Sequence, residues 1–392
     1  MIAIVKRWPR FVFMMLVVEF LDEFAYSALE TARPLLRDDF GLGYAQRGLI
    51  TTLPVLVAIL VEPAAGLFAD THRRRALIVG GGVLFGLGLV VQGMAPSFGV
   101  FMLGATLQAP ASGVFVNLAQ ASLMDAAPTR REHRMALWTV SGSLAVVTGP
   151  LLQGAALALG IGWRPFFVGS GLLAVIAALG IARLPPNRAL RTARDADAEE
   201  PVTLRQSLRA AFRLLRRGDV WRWLVLLEFS DLMLDVLFGL LARYLVDVVG
   251  VTQARAALAI AVWTGIGLLG DFLLVGLLES VKGVAYLRVS ALVMLALYPA
   301  FLLVEPFGIK VVLLGLIGLF NAGWYAILQG SLYDALGDQS GAVLIVGNAA
   351  GIGGALLPLG LGIVAQTAGL PLAMGLLLAG PGALAVGLPR RA

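Results

Sequence analysis

Residues Gln120 to Ala126 read QASLMDA, and residues Gln329 to Ala335 read QGSLYDA. The two heptads lie 209 residues apart. The same offset carries EFLD (Glu19 to Asp22) onto EFSD (Glu228 to Asp231), and Glu62 onto Asp271. Pro150 and Gly154 return as Pro358 and Gly362 at an offset of 208, and Gly66-Leu67 returns as Gly276-Leu277 at 210. An offset this constant over widely separated places points to duplication of one structural unit.

Composition identifies the solvent around that unit. Of the 392 residues, 59% are hydrophobic and 14% charged, with a mean hydropathy of +0.88. Soluble domains run near about 45–50% apolar and about 25% charged. The chain therefore reads as a polytopic membrane protein, with the lipid bilayer as its first partner. A span needs about 20 mostly apolar residues. Twelve stretches qualify: 10–32, 47–69, 76–96, 99–124, 134–159, 163–183, 221–244, 254–278, 284–304, 310–334, 341–366 and 370–388. A polar segment, 184–219, divides them six and six. The expected fold is all-α: twelve transmembrane helices in two six-helix bundles, 1–183 and 220–392, joined by the 184–219 linker. An even number of spans leaves both copies in the same orientation, related by a pseudo-twofold axis along the membrane normal.

The net charge of +6 fits membrane topology better than a nucleic-acid partner. With the N-terminus in the cytoplasm, all but seven of the 30 Lys and Arg residues fall on the inner side. The exceptions are Arg33, Arg37, Arg47, Arg164, Arg243, Arg255 and Lys310. Both termini and the linker are thus expected in the cytoplasm, and the protein in the cytoplasmic (inner) membrane. The linker stretch LRQSLRAAFRLLRR suits a basic amphipathic tether. The N-terminal apolar run continues through acids with no small-residue cleavage site, so it reads as a retained span.

There are no cysteines, which removes disulfides, zinc–thiolate sites and iron–sulfur clusters. His72 and His133 sit in Arg-rich loops, where they are poor metal ligands, so no cofactor is expected. The chain carries no H-E-x-x-H, G-x-S-x-G or Walker loop, which argues against an enzyme and for gradient-driven transport.

The first span holds the chemistry. EFLDEFAYSALE, residues 19 to 30, carries four carboxylates between apolar flanks. At about 100° per residue, Glu19, Asp22, Glu23, Tyr26 and Glu30 share one stripe. A carboxylate facing lipid costs about 2.5–3.5 kcal/mol even on lenient scales, so the stripe must face protein or water. The seventh span repeats it with Glu228, Asp231 and Asp235. These acids are expected to bind protons and a small-molecule substrate, one with cationic character. Gln120 and Asn117 in span 4, with Trp324, Tyr325 and Gln329 in span 10, would add stacking and hydrogen bonds. Trp324 and Tyr325 read equally well as packing residues. Glu30 also suits pairing with Arg33 or Arg37. Glu62 and Asp271 read as coupling or gating groups. Asp125 and Asp334, at cytoplasmic span ends, read as partners in inter-helix salt bridges. Two other functions fit the residues. A divalent-metal carrier would hold one ion with Glu19, Asp22 and Glu23. A receptor or lipid-handling protein would use the same architecture without solute flux.

The loop GLFADTHRRRALI, Gly66 to Ile78, resembles the signature of the major facilitator superfamily between its second and third helices, G-x-x-x-D-[RK]-x-G-[RK]-[RK]. Gly66, Asp70, Arg74 and Arg75 match, while Thr71 and Arg73 depart. The resemblance implies the twelve-helix fold, a rocker-switch cycle and a monomer. It also implies that Asp70 locks the cytoplasmic gate against the N-terminus of the eleventh helix, and that Arg74 pairs an acid at the inner end of helix 4, where Asp125 stands. Arg134, opening span 5 in RMAL, is similar to the family's arginine there. SGSLAVVTGPLLQG in span 5 resembles the antiporter motif G-x-x-x-G-P-x-x-G-G. Gly149, Pro150 and Gly154 match, and Ala145 and Gln153 do not. That motif implies export. Span 4 carries Gln108 where many proton-coupled members have a buried arginine, which moves any coupling role onto the acids of spans 1 and 7.

Overall fold

A computed structural model of the chain describes residues 10–42, 44–69, 73–185, 213, 214, 216–343, 345–347 and 356–389. Asp70, His72, most of the linker, and Arg390 and Arg391 lie outside the described residues. Every regular element among those described is helical. The first six helices are α1 (Arg10–Phe40), α2 (Tyr44–Ala69), α3 (Arg74–Gly93), α4 (Phe98–Asp125), α5 (Arg131–Ala158) and α6 (Arg164–Ala182). Then α7 (Gly218–Asp231) runs through a π-helical turn, Leu232–Val236, into α8 (Leu237–Arg243) and a second π-helical turn, Tyr244–Val248. There follow α9 (Gln253–Leu277), α10 (Gly283–Leu303), α11 (Phe307–Asn321), α12 (Trp324–Leu336), α13 (Leu356–Thr367), α14 (Leu370–Leu376) and α15 (Ala379–Gly387).

Eight helical stretches among the described residues are long and apolar enough to cross a membrane by length and composition. The acids of α1 keep it out of that set. The duplication shows in the helix starts. α3 and α10 begin 209 residues apart, as do α4 and α11.

The chain divides into two compact units. Unit 1 comprises Met1–Thr129, Ser141–Arg216 and Leu336–Asn348; unit 2 comprises Arg130–Val140, Arg217–Ala335 and Ala349–Ala392. The first turns of α5 group with unit 2, and residues just after α12 group with unit 1.

In unit 1, α3 packs against both α4 and α6, α2 packs on α4, and α1 touches α4 and α6. Glycines permit this closeness. A Cβ at Gly86 of α3 would stand 2.5 Å from the Gly171 carbonyl of α6, and one at Gly88 would stand 2.8 Å from the Gly104 carbonyl of α4. Small residues at helix contacts are the usual route to tight association in lipid, where no hydrophobic drive separates helix from tail.

In unit 2, α11 packs on α9 and α10, and α15 packs on α7 and α10. The tenth span, expected as one helix over 310–334, breaks between Asn321 and Trp324. Gly323 sits there at φ +77°, a left-handed conformation that suits glycine. Lys310 of α11 is buried (3% exposed). Its ammonium donates to the carbonyls of Phe301 (2.6 Å) and Leu302 (3.3 Å), orphan acceptors at the end of α10.

Candidate functional site

Glu19, Asp22 and Glu23 of α1 divide between two neighbours, and the side chain of Glu30 lies outside the described residues. Asp22 accepts a 2.6 Å hydrogen bond from the Ser112 hydroxyl of α4. Glu62 of α2 reaches the adjacent residue, Gly113, where a Cβ would collide with its carboxylate. Two carboxylates from two helices therefore meet one turn of α4. Glu19 and Glu23 lie instead against Gly142 of α5; a Cβ there would stand 2.7 Å from a Glu19 carboxylate oxygen and 3.3 Å from Glu23 Cγ. Further along the same α5 face, the Ser27 hydroxyl lies 3.4 Å from the Ala145 carbonyl. Small residues on α5 thus make room for the polar stripe of α1.

Tyr26 is 59% exposed, so it does not join the packed part of that stripe. Glu19, Asp22 and Glu23 do not gather round one point. Asp22 turns to α4 and the two glutamates turn to α5. Among the described residues no group of three or more acids and histidines is placed to hold a metal ion.

In unit 2 the corresponding acids stand at the irregular part of the seventh span. Asp231 is the last residue of α7 before the π-helical turn, and Asp235 lies within the turn. Glu228, Asp231 and Asp235 are close enough for their charges to interact. The tenth span meets the same turn. Asn321 Nδ2 donates to the Met233 carbonyl at 2.5 Å, and Asn321 Oδ1 is buried with no hydrogen-bond partner. π-helical turns concentrate at functional sites because they interrupt the regular ladder and re-aim side chains.

Of the expected polar lining, Gln120 and Gln329 are buried, at 2% and 7% exposure. Trp324 is fully enclosed within unit 2 and donates its indole N–H to Ser290 Oγ at 2.8 Å, the arrangement of a packing residue. Gln108 lies beside Gln92, whose amide approaches its Oε1 at 3.4 Å. Asp271 of α9 acts electrostatically on Tyr286 of α10, whose hydroxyl donates to the Ala322 carbonyl at the break (3.0 Å).

At the expected cytoplasmic ends, Arg74 is fully buried and its guanidinium meets Asp125 at 2.5 Å. Arg75 donates to the carbonyls of Ile181 (3.0 Å), Ala182 and Leu184 (both 2.5 Å), capping the end of α6. Asp334 pairs with Arg131 at 2.9 Å. Arg134, in the same turn region of α5, keeps its Nε buried without a hydrogen-bond partner. Sequence reading did not single out Ser112, Arg131, Glu132 or Asn321. Ser112 and Asn321 are themselves 209 residues apart. The repeat, extended position by position, would have flagged them.

The family model described as Major Facilitator Superfamily matches residues 15–358. The fosmidomycin resistance protein of Escherichia coli K12 is 29% identical over 164 residues, 42% of this chain and 40% of that protein. The transcription regulatory protein OpdE of Pseudomonas aeruginosa is 29% identical over 280 residues, 69% of this chain and 66% of that protein. The matched stretch thus spans about two fifths of the first relative's length. Among solved structures, the E. coli fucose:proton symporter FucP superposes with a TM-score of 0.76 at 19% identity, covering 96% of each chain. A bacterial homologue of the iron transporter ferroportin, outward-facing with soaked iron, gives 0.73 at 18% identity, covering 97% of this chain and 98% of that one. The fold is that of these transporters: all-helical, multi-pass, built for the membrane. The chain belongs to the Major Facilitator Superfamily.

Proposed function

We propose that the protein is a secondary transporter that exports a small organic solute in exchange for protons by alternating access. One observation carries the reading. Asp22, deep in an apolar span, is bonded to a neutral hydroxyl, Ser112, and has no cationic partner among the described residues. A carboxylate held this way exchanges a proton or an organic cation without first breaking an ion pair. Asp231, flanked by Glu228 and Asp235, offers a second such group in unit 2. Export is supported by the partial antiporter motif in α5 and by the fosmidomycin resistance relative. The protein works as a monomer in the inner membrane, with both termini in the cytoplasm. Glu62 and Asp271 serve coupling, and Asp70, Arg74, Arg75, Asp125, Arg134 and Asp334 serve gating.

A divalent-metal carrier has the ferroportin homologue's fold in its favour. The divergence of Asp22 from Glu19 and Glu23 weighs against it, since hard cations need several oxygens converging on one point.

A thermal-shift screen in detergent, at one acidic and one alkaline pH, tests the reading. The ligands are organic cations, anions, neutral sugars and divalent metals, tried on the wild type and on Asp22→Asn/Asp231→Asn. Stabilisation by an organic cation in the wild type alone is the expected result. Equal stabilisation of both proteins by neutral or anionic compounds overturns the cationic-substrate part. Stabilisation by a divalent metal alone moves the assignment to the metal carrier.

A further inference from the structure

Two buried carboxamides of this chain are anchored to backbone. Gln92 of α3 donates its amide nitrogen to the Gly88 carbonyl, and Asn321 of α11 donates its own to the Met233 carbonyl. Gln153 of α5 has no such anchor. It is fully buried, yet neither its Nε2 nor its Oε1 has a hydrogen-bond partner among the described residues. A carboxamide brings two N–H donors and two lone pairs, and enclosing all of them unmet is among the costlier things a fold does. A side chain left in that condition calls for an occupant or a role.

Its place on α5 tells where the carboxamide stands. At about 100° per residue, Gly142, Gly149 and Gln153 fall within about 40° of one another, on a single face. The two glycines mark that face as the one turned to α1. A Cβ at Gly142 would press on the Glu19 and Glu23 side chains. One at Gly149 would collide with the Ser27 hydroxyl and stand 3.3 Å from the Phe24 carbonyl. Gln153 lies one turn beyond Gly149, so it continues the seam between α1 and α5. Ser27, a turn away, gives its hydroxyl to the Phe24 carbonyl at 3.1 Å. Leu151 and Leu152, beside Gln153, are exposed on the other faces of the helix. In the antiporter motif that this stretch resembles, the position of Gln153 is a glycine. The chain therefore sets a carboxamide where that motif leaves only space.

We propose that Gln153 is a solute-contacting residue, and that the group it takes is an amide edge: a primary carboxamide or a lactam, with an acceptor and a donor on neighbouring atoms. The proposal rests on the transport reading given above and adds a specificity-determining residue to it. An edge of that kind pairs with the Gln153 oxygen and nitrogen at once, through two parallel hydrogen bonds. An ester of the same shape leaves the Gln153 oxygen facing a lone pair, and a site built around a hydrogen bond rejects the analogue that cannot make it. The solute group enters as the seam widens, and pairing there supplies the bonds that the enclosed carboxamide lacks in this conformation.

The test uses two pairs of probes on the full chain in detergent, read by thermal-shift titration. para-Aminomethylbenzamide and methyl para-aminomethylbenzoate share an ammonium and differ in amide against ester. Benzamide and methyl benzoate repeat the comparison without the charge. The wild type should bind an amide about tenfold or more tightly than its ester, the scale of one or two net hydrogen bonds. Gln153→Leu should reduce that preference to about twofold or less. Without any probe it should unfold no lower than the wild type, since an unmet polar group gives way to an apolar one of similar size. Should Gln153→Leu fail to fold, Gln153→Met carries the test, with a monodisperse elution profile required. A wild type that binds neither amide, or that binds amide and ester alike, overturns the proposal. So does an amide preference that survives in the variant. A variant that unfolds well below the wild type shows instead that Gln153 holds a structural water, and overturns it too. The charged and neutral pairs separate this proposal from the reading it rests on. An amide preference confined to the neutral pair refutes the cationic substrate and leaves the assignment of Gln153 intact.

Discussion

Asp22 and Asp231 occupy the same place in two copies of one unit, yet their surroundings differ. In unit 1, α1 is continuous through Asp22, α4 is continuous through Ser112, and the hydroxyl of Ser112 binds the carboxylate. In unit 2, the seventh span loosens into a π-helical turn right after Asp231. The tenth span breaks right after Asn321, the counterpart of Ser112. Asn321 binds a backbone carbonyl, that of Met233, rather than the acid. A duplicated sequence pattern has yielded one carboxylate pinned by a neighbouring helix and one whose neighbouring helix serves the backbone. The longer asparagine amide reaches the irregular backbone, which has a carbonyl to offer. Ser112, on a regular helix, donates instead to the Asp22 carboxylate.

The largest expected effect on transport comes from removing the charge of either acid. Asp22→Asn and Asp231→Asn, each alone, should cut proton-gradient-driven flux in proteoliposomes by about tenfold or more, the scale of losing one charged hydrogen-bonding group. Full activity in both variants would break the proposed coupling, and loss in one alone would assign the proton to that copy.

In stability, the largest effect is expected at the pair at the inner ends. Arg74→Ala leaves Asp125 without its fully buried partner and should cost about 3 kcal/mol of stability, read from unfolding in detergent. Arg131→Ala, facing the half-exposed Asp334, should cost under about 1 kcal/mol. Equal losses would mean that the exposure of Asp334 does not weaken the second bridge.

A smaller difference is expected between Ser112→Ala and Asn321→Ala. The first leaves the Asp22 carboxylate short of a donor and should cost about 1–3 kcal/mol. The second removes one bond to a carbonyl but also removes a buried Oδ1 that has no partner, so its net cost should be about 1 kcal/mol or less. Both are read from the same unfolding curves, and a reversed order would show that the asparagine contact holds the π-helical turn in place.

Much of the architecture was legible before any coordinates. The constant offset announced the duplication, and α3, α4, α10 and α11 start in register with it. Hydropathy located the eight stretches long and apolar enough to cross a membrane, and the Arg74–Asp125 pair followed from the family resemblance. The unread features share a cause. The break at Gly323 and the π-helical turns depend on neighbours far away in sequence, and nothing in LDEFAYS versus DLMLDVL says which will stay regular. Glu132 looked like an ordinary polar residue at a helix start. Its carboxylate accepts the backbone N–H of Gly283, 151 residues later.

Sequence by itself determined the all-helical membrane fold, the duplication and the two acidic stripes, because burying apolar length in lipid and keeping carboxylates out of it leave few alternatives. Tertiary structure decided which carboxylate receives a hydroxyl, where two helices lose their regular ladder, and which arginine reaches Asp334. Those choices rest on the approach of one helix to another within a few ångströms, where one Cβ at Gly113, Gly142 or Gly283 would exclude the partner that the structure admits.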